Sequence, residues 1–289
     1  MRPPLPRRLR RLPGQNAIVT GASGAFGSAT VSVLRHLGVN VAGIDLEPAP
    51  GVIGCDVTDH TQVDKAVTEA VDQLGGELDL LINYAGVGPS VDIGQMPNTQ
   101  THQALEVNLL GTWRVTAAAL PFLLRNRGRV VVTASLLANL QFPLAGAYTV
   151  SKRAVTAYAD MLRAEYGTHI GVTTVHPGYV DTPIHDSSRA NGASLDGLVP
   201  AERTQDTVMA VVRAAGAKHA PRDIASTALG TVGLHLTRHF PGTTEQIVAL
   251  QMQLLLSEGT FADAEIAQGL HERHGTLAAQ QNVSQEERK

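Results

Sequence analysis

Short β-branched runs alternating with longer stretches of helical period constrain this chain more than any other feature. Parallel strands joined by crossover helices bury both kinds of segment at once. The runs lie at Asn16 to Thr20, Val39 to Asp45, Val52 to Asp56, Leu78 to Asn83, Arg129 to Thr133 and Gly171 to Val175. Helices are expected near Ala25 to Leu37, Thr61 to Leu74, Thr99 to Leu124 and Ala147 to Tyr166. Val63, Val67, Ala70, Val71 and Leu74 draw an apolar stripe along the second of these, with Thr58 and Asp59 as caps at its start. The third is expected to bend near Gly111. Beyond residue 200, helices near Ala201 to Ala215 and Thr243 to Ser257 are expected, with no convincing seventh strand after residue 215.

At 289 residues and 43% hydrophobic, the chain suits one large domain over residues 14–262. Arg2, Arg7, Arg8, Arg10 and Arg11 lie among four prolines in residues 1–13, read as a disordered basic tail. Residues 263–289 are read as a polar C-terminal tail that frays, and 184–200 as a substrate loop, suited equally to a mobile lid or an ordinary surface loop. A net charge of -3 offers no general attraction to nucleic acid phosphates. No run of some 18 to 20 uninterrupted apolar residues marks a membrane span. One cysteine, Cys55, and no secretion signal suit a reducing cytoplasm. The 11 histidines are scattered, and His235 and His239 are the one pair at i, i+4 spacing, with no carboxylate or cysteine nearby in sequence, so no metal is expected.

Thr20-Gly21-Ala22-Ser23-Gly24-Ala25-Phe26-Gly27 follows the first run and opens the first helix. Glycines there let the backbone turn tightly and approach a pyrophosphate, whose charge meets the amides and positive dipole end of the helix. The pattern points to a Rossmann-type doubly wound parallel sheet flanked by helices. Asp45 ends the second run 24 residues after Gly21, where a carboxylate accepts hydrogen bonds from ribose hydroxyls; a turn or cap is its plain alternative. Asp45 and Glu47 would repel a 2′-phosphate, and no Arg or Lys lies between Arg35 and Lys65, which favours NAD over NADP. Asp56, beside Cys55 and Val57, suits either the adenine amino group or helix entry.

Tyr148 and Lys152 stand four apart in an expected helix, on one face. A free tyrosine has a pKa near 10 and is a poor base at neutral pH; a nearby ammonium stabilises the phenolate. Ser135 lies thirteen positions before the tyrosine and Asn108 a further 27 before that. Asn83-Tyr84-Ala85-Gly86 follows the fourth run, and Pro177-Gly178-Tyr179-Val180-Asp181-Thr182 the sixth. In these motifs and their order, residues 14 to 183 resemble the short-chain dehydrogenase/reductase family. That resemblance implies that Ser135 bonds the substrate oxygen and Tyr148 is the acid or base. It implies that Lys152 binds the nicotinamide ribose and lowers the tyrosine pKa, and that Asn108 organises a water-linked proton path. By the same resemblance, Gly21, Ser23, Gly24, Ala25, Phe26, Gly27, Asp45, Cys55, Asp56, Val57, Asn83, Ala85, Gly86, Pro177, Gly178, Val180 and Thr182 join Tyr148 and Lys152 around the cofactor, with Thr182 near the carboxamide.

Two departures stand out. The Thr-Gly-x-x-Gly-x-x-Gly spacing is typical of the family's extended branch, although the chain otherwise looks like the classical branch. Tyr84 stands where many relatives carry a smaller residue, and its bulk is expected to press on the cofactor cleft. Leu136, Leu137, Leu140, Phe142, Pro143 and Leu144 suit a pocket for a lipophilic, possibly hydroxysteroid-like, secondary alcohol or ketone, or simply loop packing. The rival readings are a non-catalytic NAD sensor and an epimerase or dehydratase of the same fold. The resemblance implies a homodimer or homotetramer through the helices near 99–124 and 147–166.

Overall fold

The computed structural model describes residues 9–140, 142–194 and 196–275. Its strands are β1 (Asn16–Thr20), β2 (Asn40–Asp45), β3 (Val52–Gly54), β4 (Leu80–Asn83), β5 (Arg129–Thr133), β6 (Gly171–His176) and β7 (Asp223–Ala225). They pair in parallel in the order β3-β2-β1-β4-β5-β6-β7. The order reverses direction between β1 and β4, and a doubly wound sheet opens its binding crevice at that point, beyond the strands' carboxyl ends.

Alternation along the strands builds two cores. Ile18, Leu81, Val130 and Val132 face one way, against Val63, Val67, Val115, Ala119 and Val155. These come from α2 (His60–Gln73), α4 (Thr112–Asn126) and α5 (Gly146–Tyr166). Ala17, Val19, Leu80, Ile82 and Val131 face the other way, against Leu34, Val208, Val211 and Val212 on α1 (Ala25–His36) and α7 (Thr204–Gly216). Such two-sided burial is why these strands read as continuous apolar runs. Asp59 caps α2, its carboxylate accepting from the Thr61 and Gln62 amides.

The expected bend near Gly111 is a π-helical turn, Leu105–Gly111, between α3 (Thr99–Ala104) and α4. Segment Thr99–Asn126 meets the length and composition of a membrane span, with a mean hydropathy of 1.3 over its most apolar window. The sequence reading had excluded such a segment. Its buried Asn108, Thr112 and Thr116, and the packing of Val115, Ala119 and Leu123 under the sheet, make it a core helix.

Three further expectations are corrected. A seventh strand exists: β7 pairs Asp223 to Ala225 with Thr174 to His176. The basic tail is not solvated throughout, because Leu9 and Leu12 are buried in the second core; residues 1–8 lie outside the described residues. The C-terminal tail does not fray up to residue 275. Ala264, Ala267 and Leu270 join Phe142, Leu144, Ala193, Met252, Leu256 and Phe261 in a third apolar cluster. The remainder, 276–289, lies outside the described residues. Helices α6 (Asp186–Ala190), α8 (Ala228–His239) and α9 (Pro241–Ser257) follow, α6 falling within the expected substrate loop, and residues 268–275 are helical as well.

Candidate active site

The glycine turn is built by close backbone approach. A Cβ on Gly27 would stand 2.0 Å from the Gly21 carbonyl oxygen, and one on Gly21, at φ +63°, 2.9 Å from the Ala85 nitrogen. Neither site tolerates a side chain. Gly24 precedes α1 without capping it, and the first turn of α1 carries no acidic residue. An uncapped helix end attracts an anion. It opens on a cleft of 430 Å³ whose lining includes Gly21, Phe26, Gly86, Gly88, Thr182 and Ile184. Such a cleft fits a dinucleotide pyrophosphate.

At the far end of the turn, Asp45 accepts from the Ser23 amide at 2.7 Å and, through its other oxygen, from the Leu46 amide at 2.7 Å. The carboxylate therefore also performs the turn duty the sequence allowed. Arg35 points away, donating to the Val41 carbonyl at the opposite end of β2. Asp56 commits one oxygen to the Thr58 amide and hydroxyl, at 2.8 Å each, which is the helix-entry reading. Cys55 is buried, with its amide on the Asp45 carbonyl. Val57 packs on the π turn, 2.6 Å from where a Gly111 Cβ would stand.

Behind the cleft, Thr20 Oγ1 accepts from the Tyr84 and Ala85 amides at 3.2 Å each. Asn83 donates to Thr116 Oγ1 at 3.1 Å, and its Oδ1 is buried without a partner. Tyr84 hydrogen-bonds Thr30 Oγ1 at 3.0 Å and lies 5.8 Å from the Phe26 ring, so it braces α1 as well as lining the cleft. Gly86 gives room for chemistry: a Cβ there would lie 3.1 Å from Asn108 Oδ1 and 3.5 Å from Lys152 Nζ.

Asn108, Ser135, Tyr148 and Lys152 lie around one point at the end of β5, Asn108 linked to the Tyr148 backbone through Ser151. Ser135, just beyond β5, caps a short 3-10 turn through the Leu137 amide at 3.1 Å, and its side chain lies beside the Tyr148 phenol. The plain reading of Ser135, a strand-end cap, is thus realised. Lys152 Nζ donates to the Thr133 carbonyl at 2.9 Å and lies 5.7 Å from the Tyr148 ring centre. Asn108, in the π turn, accepts from the Val87 amide at 2.8 Å and donates to Ser151 Oγ at 2.8 Å. Ser151 in turn donates to the Tyr148 carbonyl at 2.7 Å.

The electrostatics differ from expectation in one respect. Burial raises the Tyr148 pKa, and the neighbouring Ser135 hydroxyl opposes that rise. The amine suffers the same desolvation, which lowers Lys152 to about 8. The expected acidification of the phenol by its lysine is therefore not a property of this structure: a buried amine without a counter-charge is itself pushed toward neutrality.

In the segment after β6, Pro177 accepts from the Leu136 amide at 2.9 Å, Val180 bridges to Glu202, and Thr182 is buried on the cleft wall. Several supporting residues escaped the sequence reading. Glu202 accepts from the Gly178 amide at 3.0 Å and from Thr227 Oγ1 at 2.6 Å, holding the Pro-Gly turn. His176, fully buried, bonds Asp223 at 2.9 Å and stands 3.4 Å from the Ser135 carbonyl. Ser151 was legible only as part of the Tyr-x-x-x-Lys segment. Distant acids reached by folding leave no local signal.

Residues 15–193 match the family model for short chain dehydrogenase. The chain belongs to that family, a family of oxidoreductases whose fold binds a nicotinamide cofactor. Dehydrogenase/reductase SDR family protein 7-like of Drosophila melanogaster is 28% identical over 210 residues, covering 65% of this chain and 64% of that protein, just under two thirds of its length. L-fucose dehydrogenase of Mus musculus is 31% identical over 194 residues, covering 63% of this chain and 71% of that one. The crystal structure of a short chain dehydrogenase from Burkholderia cenocepacia in complex with NADP is similar with a TM-score of 0.70 at 25% identity, over 82% of this chain and 99% of that one.

Proposed function

We propose that the protein transfers a hydride between a nicotinamide dinucleotide and the carbon of a secondary alcohol or ketone, with Tyr148 as the acid or base. The observation that carries this reading is the gathering of the Ser135 side chain, the Tyr148 phenol and the Lys152 amine, the amine 5.7 Å from the ring centre. The bound cofactor supplies or accepts the hydride. Ser135 and Tyr148 orient the substrate oxygen, and the phenol returns a proton to an alkoxide or takes one from an alcohol. Lys152 holds its amine beside the phenol and faces the cofactor's ribose. Asn108 fixes Val87 and, through Ser151, the backbone of Tyr148. Gly21, Gly24 and Gly27 hold the pyrophosphate, and Thr182 the carboxamide end.

NAD is the proposed cofactor, although the Burkholderia relative was crystallised with NADP. Asp45 against the Ser23 amide puts a negative charge where a 2′-phosphate would lie, and Arg35 is engaged elsewhere. The apolar lining beside Tyr148, from Leu137, Phe142, Pro143 and Leu144, supports a lipophilic substrate. Trp113, Val150 and Met161, exposed on α4 and α5, support a subunit contact through those helices. Light scattering is expected to give a dimer or tetramer mass.

The test is an NAD-coupled screen of secondary alcohols graded in size and polarity. Net reduced nicotinamide absorbance is the expected result and separates this reading from an epimerase, which returns its cofactor unchanged, and from a sensor. No absorbance with any alcohol, nor its loss with any ketone, rejects it.

A further inference from the structure

The pocket beside Tyr148 has walls of two kinds. Leu137, Phe142, Pro143, Leu144 and Ala193 give it an apolar side, whereas Ser90, His185 and Ser188 line it with polar side chains. The polar group is one surface built from two segments. Ser90 lies in the loop after β4, and His185 and Ser188 stand three apart at the turn into α6. Ser90 Oγ donates to Ser188 Oγ at 2.7 Å, joining the two segments, and both serines are buried. The apolar wall is tied to the same loop, because the Val91 amide donates to the Leu144 carbonyl at 2.8 Å.

The donors and acceptors left over decide what this surface can take. A hydroxyl has one donor and two acceptor positions. Ser90 directs its donor to Ser188, and Ser188 directs its own to the Gly88 carbonyl, 3.4 Å away. What remains on the pair is acceptor capacity. The His185 ring lies 4.7 Å from the Tyr179 ring, centre to centre. Burial, and after it the Arg189 cation, lower the His185 pKa, so at neutral pH the imidazole is uncharged and has one acceptor nitrogen. Among the described residues lining the pocket there is no carboxylate to receive a cation and no ammonium or guanidinium to receive an anion. Uncharged acceptors in such a place suit a neutral O–H, since a charged group would be buried without a counter-charge.

The polar wall is held in place by its own loop. Arg189, next to Ser188, pairs with Asp181, Asp186 and Asp196, and Tyr179 donates to Asp196. One guanidinium thus ties the turn that carries His185 and Ser188 to the chain on either side of it. Groups already in place lose little freedom on binding, so their hydrogen bonds count toward selectivity. A wholly apolar ligand would strip water from Ser90, His185 and Ser188 without replacing its hydrogen bonds.

We propose that Ser90, His185 and Ser188 form a polar subsite for a second hydroxyl of the substrate, so that the preferred substrate is a secondary alcohol whose apolar frame carries another hydroxyl away from the reacting carbon. The proposal rests on the oxidoreductase reading and names its substrate class. The apolar wall covers the frame, Tyr148 faces the reacting oxygen, and the serine and histidine acceptors take the other hydroxyl. They bind and orient; none of the three moves a proton.

The full-length protein is assayed with NAD and with cyclohexanol and the positional isomers of cyclohexanediol, which share one frame and differ in the second hydroxyl. Per reacting hydroxyl, the best diol is expected to exceed cyclohexanol in kcat/KM by about tenfold, the gain that one well-made hydrogen bond brings. Values no higher for any diol than for cyclohexanol overturn the subsite. In His185→Leu, and in the Ser90→Ala, Ser188→Ala double variant, the ratio is expected to fall toward one. A ratio kept in both overturns the assignment to these residues.

The same alcohols are titrated by ligand-observed NMR onto the protein holding NADH, which accepts no hydride from an alcohol. The best diol is expected to bind about tenfold more tightly than cyclohexanol, again with the preference lost in the variants. If the protein reduces no NAD with any alcohol and oxidises no NADH with any ketone, the oxidoreductase reading fails. The binding ratio then still decides the subsite, and diols that bind no better than cyclohexanol, or not at all, overturn it.

Discussion

The cofactor cleft and the substrate pocket share a wall at Gly88, yet they are built by opposite means. The cleft is made of backbone: glycines that allow contact no side chain would permit, an uncapped helix end, and strand-end residues bonding neighbouring amides. The pocket is lined mostly by side chains drawn from three segments between Gly88 and Ala193, and its Phe142, Leu144 and Ala193 wall is backed by apolar packing. Backbone sites hold a group common to many reactions; side-chain sites can be re-cut without disturbing the sheet.

The two regions meet at Tyr148, and the sharpest break in the comparison is made there. Tyr148→Phe removes the titrating hydroxyl and little else. Turnover is expected to fall by about three orders of magnitude, with NAD affinity by calorimetry nearly unchanged, because the cleft does not depend on that hydroxyl. Loss of affinity matching the loss of turnover would show that the two regions are not separable.

Lys152 gives the next largest effect, on stability. Its pKa in the folded protein is about 8 against an ordinary 10.5. Between those values the unfolded chain holds a proton that the folded one has released, so unfolding takes up a proton and stability rises with pH. Above pH 10 the raised pKa of Tyr148 acts in the opposite sense, since the unfolded phenol ionises first. The Lys152 contribution is therefore read from pH 8 to 10 as the difference between the parent and Lys152→Met, because the raised pKa of Cys55 opposes it in the same window, and it amounts to about 2 kcal/mol. Denaturant melts of the cofactor-free protein are expected to show it. Lys152→Met is expected to lack it while being the more stable protein at neutral pH; an equal slope in both contradicts the assignment.

Asp45 gives a smaller effect, confined to the cleft. Asp45→Ala is expected to weaken NAD about tenfold, the loss that removal of a charged hydrogen-bond acceptor brings, and to narrow the preference over NADP. Steady-state KM values for the two cofactors check this, and an unchanged preference would place ribose reading elsewhere.

The same contrast explains what the sequence revealed. Runs such as Ala17-Ile18-Val19 and Val130-Val131-Val132 are buried on both faces, so they stand out as apolar strands whatever surrounds them. The glycine turn and the Tyr-x-x-x-Lys spacing are equally local. Strand β7 was missed because it is three residues long, half-buried and opens on Asp223, a sheet-edge pattern indistinguishable from loop. The third apolar cluster was missed because Phe261, Ala264, Ala267 and Leu270 sit in a tail whose small residues give a weak apolar signal, and their partners, Phe142 and Leu144, lie over 100 positions away. Leu9 and Leu12 were masked by the arginines and prolines around them. The raised Tyr148 pKa was not legible at all, since burial is set by tertiary packing rather than by the lysine four positions on.

The central claim is that Ser135, Tyr148 and Lys152 act together on an oxygen lying beside a bound nicotinamide. A crystal structure with NAD and a slowly oxidised secondary alcohol tests it most directly. The account predicts the alcohol oxygen within hydrogen-bond reach, about 2.6 to 3.2 Å, of both the phenol and the Ser135 hydroxyl, with the Lys152 amine on the ribose hydroxyls. An alcohol bound away from both hydroxyls, or an amine still confined to the Thr133 carbonyl, contradicts it.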